Sequence, residues 1–438
     1  MKNSYIRKYG DKLLFILAIS LLAAILYHLQ GKKTAGGQIF QADNPAILFT
    51  QWWEGDMEKD SLGDLIKEFE NLHEGIKVIL RTESYEDLRE ELYDNSRELL
   101  QGDDNYPGDI IALDPLWIPD LLMREKIENP GNKDYDSSIT EKPDGISPPA
   151  PYGVPGTSLI SSINVLYYNA DILKDAGFSR PPKTRGEFLT YCRAIAKDKE
   201  NLRNVYGLAY GGKSPRFLND DIFPWIWSAG IEVMKSGKPD CNSKAVIESL
   251  SFLAALQSEG FIPPHALSAD TSEKLEQFMS GRAAFMIAPA SEINHVRERM
   301  GDEQFSVTSV PIPDNYAGIS FYGIAGWTVG INQASLRKEE ARIFAGFIAE
   351  KAPALFENSR VSIPASNTLQ PQEDTLYFKV WDITIACEPA NDFTGLPWVE
   401  METIFREELY SLLGDKKTPA ETAGAIQRRW EAILDSLQ

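Results

Sequence analysis

The alternation of short apolar runs with amphipathic stretches early in the sequence constrains the fold more than any other feature. Residues 46–50, 76–80 and 109–113 have the length and apolar character of buried strands. Residues 85–100 form one helix-like stretch, and another begins with a cap of Ser61 and Asp64 and has one apolar face, consisting of Leu62, Leu65, Ile66 and Phe69. This strand–helix order predicts a doubly wound parallel sheet, which binds ligands outside the carboxyl ends of its strands.

A second informative stretch, residues 154–194, combines strand, turn and helix signals in a rare order. Residues 164–168 form an apolar and aromatic run that predicts a buried strand. A short helix then ends at Gly177, because glycine readily adopts the left-handed conformation that terminates helices. Thr184 and Glu187 predict a capping box that opens the next helix.

The order of strand, Tyr-Tyr-Asn, short helix, Gly-Phe, Pro-Pro-Lys-Thr and Glu-Phe resembles the carbohydrate-type extracellular solute-binding proteins of ABC importers. Further segments that resemble this family are residues 46–80, 278–287 (FMSGRAAFMI), 310–313 (VPIP) and 414–434 (GDKKTPAETAGAIQRRWEAIL). The resemblance covers roughly residues 46–436. It implies an α/β, periplasmic-binding-protein-like fold, in which two doubly wound lobes are joined by a hinge and enclose a ligand cleft.

The expected domain organisation follows from this resemblance and from length. A chain of 438 residues exceeds what one hydrophobic core usually serves, so two lobes are expected. Each lobe would be discontinuous: residues 46–157 and 291–352 form lobe 1, and residues 158–290 and 353–438 form lobe 2. The crossover strands near residues 155–162 and 287–290 would then form the hinge.

The N-terminal region has the pattern of an export signal. The apolar run 13–29 is longer than most signal-peptide cores and shorter than most spanning helices. Residues 1–30 are predicted to be a signal or membrane anchor, and residues 31–45 a linker. We favour an uncleaved anchor with the body outside the cytoplasm, because no small-residue cleavage site is obvious and more positive charge precedes the run than follows it. No cysteine precedes Cys192, which excludes a lipid anchor just after the signal.

Charge and composition exclude several classes of partner. The net charge of −20 leaves no basic face for a phosphate backbone, so nucleic acid is not an expected partner. Cys192, Cys241 and Cys387 are far apart, and the 4 histidines lack metal-ligand spacing. We therefore expect no metal and no cofactor, and a monomeric protein.

One short segment matches the sequence pattern of a phosphate-binding loop. Residues 207–214 (GLAYGGKS) satisfy the phosphate-binding loop pattern, but their flanks lack a clear apolar strand before the loop and a helix start after it. The prediction here is a short strand and a glycine turn near the cleft. No nucleophile elbow is present. We expect that the protein is not an enzyme. A glycoside hydrolase remains an alternative, because the distance between two carboxylates cannot be measured in a sequence.

Tryptophans outside helical stripes are the candidate ligand contacts. Trp52, Trp53, Trp225, Trp227 and Trp398 follow strands or lie in predicted loops. An indole can stack on the apolar face of a sugar ring, while neighbouring polar groups bind the hydroxyls. For each of these residues, burial in the core of a lobe is the alternative interpretation. Trp327 lies in an apolar, strand-like run and is a candidate core residue.

The family resemblance supplies the candidate hydrogen-bonding positions, which are Glu54, Asp114, Ser158, Ser161 and Gly323. Some relatives that bind glycerol phosphates carry a basic residue in the segment aligned with residues 395–397, where this chain has Gly-Leu-Pro. This difference favours an uncharged ligand, although Arg216 or Arg360 could supply a positive charge from elsewhere.

The predicted function is that of an extracytoplasmic receptor, which captures a neutral sugar or oligosaccharide by hinge closure and delivers it to an ABC permease. A membrane-tethered carbohydrate sensor or scavenger that does not transport is the alternative. A permease pair encoded beside the gene would distinguish the two.

Overall fold

The computed structural model describes residues 46–53, 60–94, 106–129, 157–197, 205–357, 375–390 and 396–436. The first part contains the predicted alternation: β1 (Ala46–Gln51), α1 (Ser61–Leu72), β2 (Lys77–Thr82), α2 (Tyr85–Tyr93), β3 (Ile110–Leu113) and α3 (Ile118–Met123). The predicted anchor at 13–29 and the linker lie outside the described residues. Within the described ranges, no helix combines the length and apolarity needed to span a bilayer.

The middle of the chain begins with a long strand and continues as a second α/β unit. Its elements are β4 (Thr157–Asn169), α4 (Ala170–Asp175), α5 (Arg185–Lys197), β5 (Tyr206–Ala209), a π-helical turn (Leu218–Ile222), α6 (Phe223–Trp227), β6 (Met234–Lys235), β7 (Lys238–Pro239), α7 (Lys244–Ser258), α8 (Thr271–Met279) and β8 (Ala283–Pro289). The remaining elements are α9 (Ile293–Met300), β9 (Phe305–Thr308), β10 (Phe321–Tyr322), β11 (Ile324–Ile331), α10 (Lys338–Glu357), α11 (Thr375–Ala386), β12 (Glu388–Pro389), α12 (Trp398–Leu413) and α13 (Pro419–Ser436).

The sheet of lobe 1 has the strand order β2-β1-β3-β11-β4. β1 pairs in parallel with β2 and β3, whereas β11 is antiparallel to both β3 and β4. α1 and α10 pack on this sheet through aromatic side chains, with the ring of Phe344 lying 5.6 Å from Phe49 and 4.8 Å from Phe69. The predicted apolar face of α1 is confirmed, since Leu62, Leu65, Ile66 and Phe69 are all buried.

The sheet of lobe 2 consists of the second half of β4 with β9 on one side and β8 and β5 on the other. β8 is antiparallel to β4 and parallel to β5. Helix α5 covers this sheet, and Phe188 on α5 packs with its ring 4.7 Å from that of Phe285 on β8. The C-terminal helices α12 and α13 pack on each other and on α7.

β4 belongs to both lobes and is therefore the first crossover strand. Its first half, Thr157 to Ile163, pairs with β11, and its second half, Asn164 to Asn169, pairs with β8 and β9. The chain returns to lobe 1 between β9 and β11, because β9 still pairs with lobe 2. These pairings differ from the expected boundary at 290/291: α9 and β9, which follow that boundary, lie in lobe 2.

The expected cap of α1 by Ser61 and Asp64 is not formed, whereas the predicted cap of α5 is confirmed. Asp60, in a left-handed conformation with φ of 69°, precedes α1 and makes no side-chain cap. At α5, the Glu187 amide donates to Thr184 Oγ1 (3.3 Å), and its carboxylate accepts from the Lys183 amide (2.8 Å). At α13, Thr418 and Glu421 exchange the two bonds of a capping box.

Candidate ligand-binding site between the lobes

Three aromatic side chains meet where the strands of lobe 1 end. Trp52 follows β1, Tyr85 begins α2, and Trp117 lies just before α3. Their ring centroids lie 5.3 Å apart for Trp52 and Tyr85, 5.3 Å for Trp52 and Trp117, and 4.6 Å for Tyr85 and Trp117. Trp52 remains half-buried, whereas Trp117 is buried. This group, the aromatic cluster, lies at the carboxyl edge of the parallel strands, where doubly wound sheets bind ligands.

Asp114 follows β3 directly and contacts both lobes. Its carboxylate accepts hydrogen bonds from the Tyr85 hydroxyl (2.9 Å) and from the Leu116 amide (2.9 Å) within lobe 1. It also forms an ion pair with Arg216 of lobe 2. Burial and the neighbouring Asp114 carboxylate raise the pKa of Tyr85 well above its ordinary value, so Tyr85 remains a hydrogen-bond donor.

Arg216 lies between two carboxylates. Besides Asp114, it pairs with Asp220 of the π-helical turn, with Nε 3.1 Å from Asp220 Oδ2. Burial alone would lower the pKa of Arg216, but Asp114 and Asp220 raise it well above its ordinary value. Burial would raise the pKa of Asp220, yet Arg216 and Lys274 outweigh this effect and lower it. Arg216 and Asp220 therefore stay charged at neutral pH.

Two buried amides adjoin this charged group at the hinge. Asn164 Nδ2 donates to the Asn219 carbonyl (2.9 Å) and to Asp220 Oδ1 (3.2 Å). Asn219 Nδ2 also donates to Asp220 Oδ1 (3.0 Å). Among the described residues, the Oδ1 atoms of Asn164 and Asn219 have no hydrogen-bond partner. The site is therefore richer in hydrogen-bond acceptors than in free donors.

The predicted tryptophans other than Trp52 are buried in the lobes. Trp53 has no exposed surface and stacks on Trp327 at 5.0 Å between ring centroids, with an interplanar angle of 6°. Trp225 and Trp227 belong to α6 and also have no exposed surface. Trp398 is buried at the start of α12 and lies 5.8 Å from the ring of Phe223. Their ligand contacts stay a prediction.

Of the five predicted hydrogen-bonding positions, the structure places Asp114 and Gly323 at or beside the site. Asp114 lies in the site described above. The Gly323 carbonyl accepts a hydrogen bond from the backbone N–H of Asn164 at 3.0 Å. A Cβ atom added to Gly323 would lie 2.4 Å from Trp227 Cζ3, so glycine allows close packing at the hinge. Ser158 and Ser161 pair with β11 through their backbone, and their side chains lie outside the described residues. Glu54 also lies outside them.

Sequence reasoning missed Tyr85, Trp117, Asp220 and Asn164 as site residues, and it mentioned Arg216 only as a possible charge. Tyr85 and Trp117 could have been found, because each lies close to the carboxyl end of a predicted parallel strand. Asp220 lies four residues after Arg216, a spacing that brings side chains together on one helical turn, whereas its contact with Asn164 joins residues 56 positions apart and depends on the tertiary structure.

The phosphate-loop pattern at 207–214 does not form a phosphate cradle. The amides of Gly212 and Lys213 donate to the carbonyls of Ala266 and Ala269 at 2.8 and 2.9 Å. A phosphate would need such amides to be free and to converge on one point. A Cβ added to Gly212 would lie 2.4 Å from the Leu267 backbone, so the loop is packed against protein rather than open to a ligand. The predicted glycine turn is confirmed.

No metal centre is found in the part of the chain that the structure describes, since it contains no group of three or more histidine, cysteine or acidic side chains placed to hold an ion. Cys192, Cys241 and Cys387 form no disulfide bond. A small cavity lies next to the hinge and is lined by residues that include Asn164, Ser228, Tyr322 and Gly323.

The fold is similar to solved structures of sugar-binding proteins. MalE3 of T. maritima, solved with maltose bound, has a TM-score of 0.70 at 17% sequence identity, and the match covers 89% of this chain and 99% of that one. An ABC transporter solute-binding protein from Thermotoga lettingae TMO, bound with α-D-tagatose, has a TM-score of 0.72 at 18% identity, covering 89% and 100%. These similarities confirm the periplasmic-binding-protein-like class with two α/β lobes.

Sequence comparison then identifies the family. The family model for bacterial extracellular solute-binding proteins matches residues 55–354, and the chain belongs to this family. A probable ABC transporter-binding protein of Deinococcus radiodurans is 26% identical over 284 residues. That match spans 60% of this chain and 65% of the relative, which is just under two thirds of its length. Family and fold are those of binding proteins that act outside the cytoplasm.

Proposed function

We propose that this protein captures a neutral sugar or oligosaccharide by hinge closure and delivers it to an ABC permease, without breaking a bond. The observation that carries this proposal is the meeting of Asp114 and Arg216 from opposite lobes beside the aromatic cluster. A ligand placed there would contact both lobes and would stabilise the closed state by its differential affinity for it. The maltose and tagatose bound in similar structures support a carbohydrate.

Charge and hydrogen-bonding capacity support a neutral ligand. The N–H groups of Arg216 are directed to Asp114 and Asp220, so its positive charge is already compensated. The remaining acceptors, on Asp114, Asn164 and Asn219, suit the hydroxyl donors of a sugar. A phosphate or carboxylate at this place would face two carboxylates and is disfavoured.

The place of the protein at the membrane is a further part of this proposal. We propose that residues 13–29 remain as an uncleaved anchor and that residues 31–45 form a tether to the bilayer. The basic residues that precede the apolar run support an orientation with the body outside. Cell fractionation tests this: the protein should stay with washed membranes, whereas a soluble mature form would contradict the anchor.

A thermal-shift screen tests the ligand class. Neutral mono- and oligosaccharides, polyols and sugar phosphates are compared at equal concentration. A ligand at 100 times its Kd should add about 2.7 kcal/mol to the free energy of unfolding. We expect a shift with a neutral carbohydrate and none with sugar phosphates. Stabilisation by the phosphates alone, or release of reducing ends from an oligosaccharide, would contradict the proposal.

Two variants connect the ligand to the site. Trp52→Ala should weaken binding of the stabilising sugar by about 1 kcal/mol or more, because it removes the half-buried indole of the aromatic cluster. Trp381→Ala is the matched control, since Trp381 is also half-buried but lies on α11. Calorimetry that shows equal affinity for the two variants would remove the aromatic cluster from the site.

A further inference from the structure

We infer that two ion pairs at the rim of the interlobe contact form a latch that holds the lobes together without ligand. The latch joins α2 and the end of α3 in lobe 1 to α12 in lobe 2 and consists of Arg89–Glu402 and Arg124–Glu400. The inference rests on the hinge closure of the proposed function. The latch residues lie outside the aromatic cluster and set the fraction of molecules that are closed before a ligand binds.

The first pair is largely buried. Arg89 Nη2 lies 2.5 Å from Glu402 Oε2, and their side chains are 21% and 6% exposed. Burial would lower the pKa of Arg89, but Glu402 raises it, so the arginine stays charged. Because solvent screens this pair little, its attraction exceeds that of an ordinary surface pair.

Glu402 is held in place for this contact by its own lobe. Arg406, one turn further along α12, donates to Glu402 Oε1 at 2.8 Å. The same guanidinium donates to the carbonyls of Gly212, Ser214 and Pro215 at 3.0 to 3.1 Å. The carboxylate is therefore preorganised, and the approach of Arg89 orders few additional groups.

In the second pair, the arginine rather than the glutamate is held in place by its own lobe. Arg124 Nη2 of lobe 1 lies 2.7 Å from Glu400 Oε1 of lobe 2. Arg124 is positioned by Asp120, whose carboxylate accepts from its Nε at 2.8 Å, and its guanidinium lies 5.5 Å from the ring centre of Tyr93. Both rim arginines thus belong to lobe 1, and both rim glutamates belong to lobe 2.

The latch is also connected to the ligand site. Arg406 fixes the loop that ends at Arg216, and Arg216 pairs with Asp114, which in turn accepts from Tyr85. Tyr85 and Arg89 lie one helical turn apart on α2. A closed ring of contacts therefore runs through both lobes. Since a sugar would enter only at Asp114 and Arg216, the rim pairs can persist in the empty and in the loaded protein.

The closed fraction is measured on the full-length protein without any ligand. Spin labels are attached through Leu336→Cys, 84% exposed in lobe 1, and Lys244→Cys, whose side chain is 89% exposed in lobe 2, in a Cys387→Ser background. Pulsed dipolar spectroscopy then gives the distance distribution between the lobes. We expect the unliganded wild type to be mainly closed, and Arg89→Gln with Glu400→Gln to lower the closed-to-open ratio about 10-fold.

The control variant carries Arg193→Gln and Glu187→Gln. It also removes one arginine and one glutamate charge, but their ion pairs, with Glu259 and Arg180, lie within lobe 2. Its distribution should match the wild type. Glu400→Gln alone removes only the more exposed pair, in which Glu400 is 52% exposed, and should lower the closed-to-open ratio by a smaller factor, which keeps the test available if the double variant folds poorly.

An unliganded wild type that is fully open, or equal distributions for the wild type and a folded latch variant, would overturn the inference. So would equal distributions for the wild type and a folded Glu400→Gln variant. A glycan screen without any binder would instead contradict the proposed function. The two failures are distinguishable, because the distances are measured without ligand.

Discussion

The tryptophans show what a residue's local sequence can and cannot indicate. An indole in a predicted loop suggested a ligand contact, but the segment that contains Trp225 and Trp227 folds as α6 and is enclosed by lobe 2. Trp52 and Trp53 are adjacent in sequence, yet Trp53 stacks inside lobe 1 while Trp52 remains half-buried at the aromatic cluster. Burial of a large side chain depends on which elements pack around it, and the local sequence does not specify these.

Gly323→Ala should destabilise the hinge by overpacking. The new Cβ would lie 2.4 Å from Trp227 Cζ3, and such a contact costs about 1–3 kcal/mol. Combining it with Trp227→Phe should cost less than the sum of the single changes, because the smaller ring leaves space for the methyl group. Urea unfolding gives these free energies.

Gly346→Ala is the matched control for the hinge glycine. No atom lies within 4 Å of a Cβ added at Gly346, which is inside α10, so alanine there should stabilise the helix by up to about 1 kcal/mol. Strict additivity of Gly323→Ala and Trp227→Phe would show that the predicted steric contact is absent.

Asp220 should contribute to stability at neutral pH and lose this contribution in acid. Arg216 and Lys274 lower its pKa in the folded protein against the opposing effect of burial. The unfolded chain therefore binds the proton more readily, and the contribution present above about pH 4 disappears as the pH falls further.

Asp220→Asn tests this dependence. The variant should lose about 3 kcal/mol at pH 7, because Arg216 loses one of its buried partners, and its stability should fall less steeply than the wild type's between pH 5 and pH 3. Asp64→Asn on α1, whose side chain is 71% exposed, is the control. Parallel stability curves for wild type and Asp220→Asn would contradict the assignment.

At the scale of elements, most signals that depend only on neighbouring residues were read correctly, and the expected cap of α1 by Ser61 and Asp64 is the exception. The strands of lobe 1 and the apolar face of α1 follow from periodicity, and the cap of α5 follows from a hydroxyl and an acidic residue three positions apart. The phosphate-loop pattern was correctly set aside because its flanks lacked the required context. The π-helical turn was not foreseen, and its Asp220 and Asp221 contact Asn164 and Lys274, which lie 56 and 53 positions away.

Thr184→Ala should lower stability by about 1 kcal/mol through loss of the cap of α5. The Thr184 hydroxyl accepts from the Glu187 amide and donates to Asp314 Oδ1 at 2.6 Å. Thr190→Ala in the same helix is the control, because its hydroxyl only donates to the carbonyl of Gly186. Equal shifts of the urea midpoint for the two variants would exclude a specific capping role.

At the scale of the molecule, the lobes share one hydrophobic cluster. Leu88, Leu113 and Trp117 of lobe 1 belong to the same continuous group of buried residues as Phe223 and Phe405 of lobe 2. A second cluster lies within lobe 1 and includes Phe49 and Phe344. The hydrophobic core is therefore continuous from one lobe to the other, and separating the lobes exposes part of it.

This shared cluster predicts a single cooperative unfolding transition. Tryptophan fluorescence and far-UV circular dichroism should give coincident urea curves, because neither lobe retains its whole core once the other unfolds. The Arg193→Gln variant should show the same coincidence as the wild type, since Arg193 pairs within lobe 2. Two separated transitions would show that the lobes fold independently.

The sequence by itself determined the class of fold and the family resemblance, because strand and helix periodicity and the order of turn signals are properties of neighbouring residues. The family resemblance also indicated Asp114, which directly follows a parallel strand. Only the tertiary structure decided that β9 belongs to lobe 2, that Arg216 meets Asp114, and that Arg89 meets Glu402 across 313 positions. These contacts join segments distant in sequence, and whether they form depends on how all the intervening elements pack.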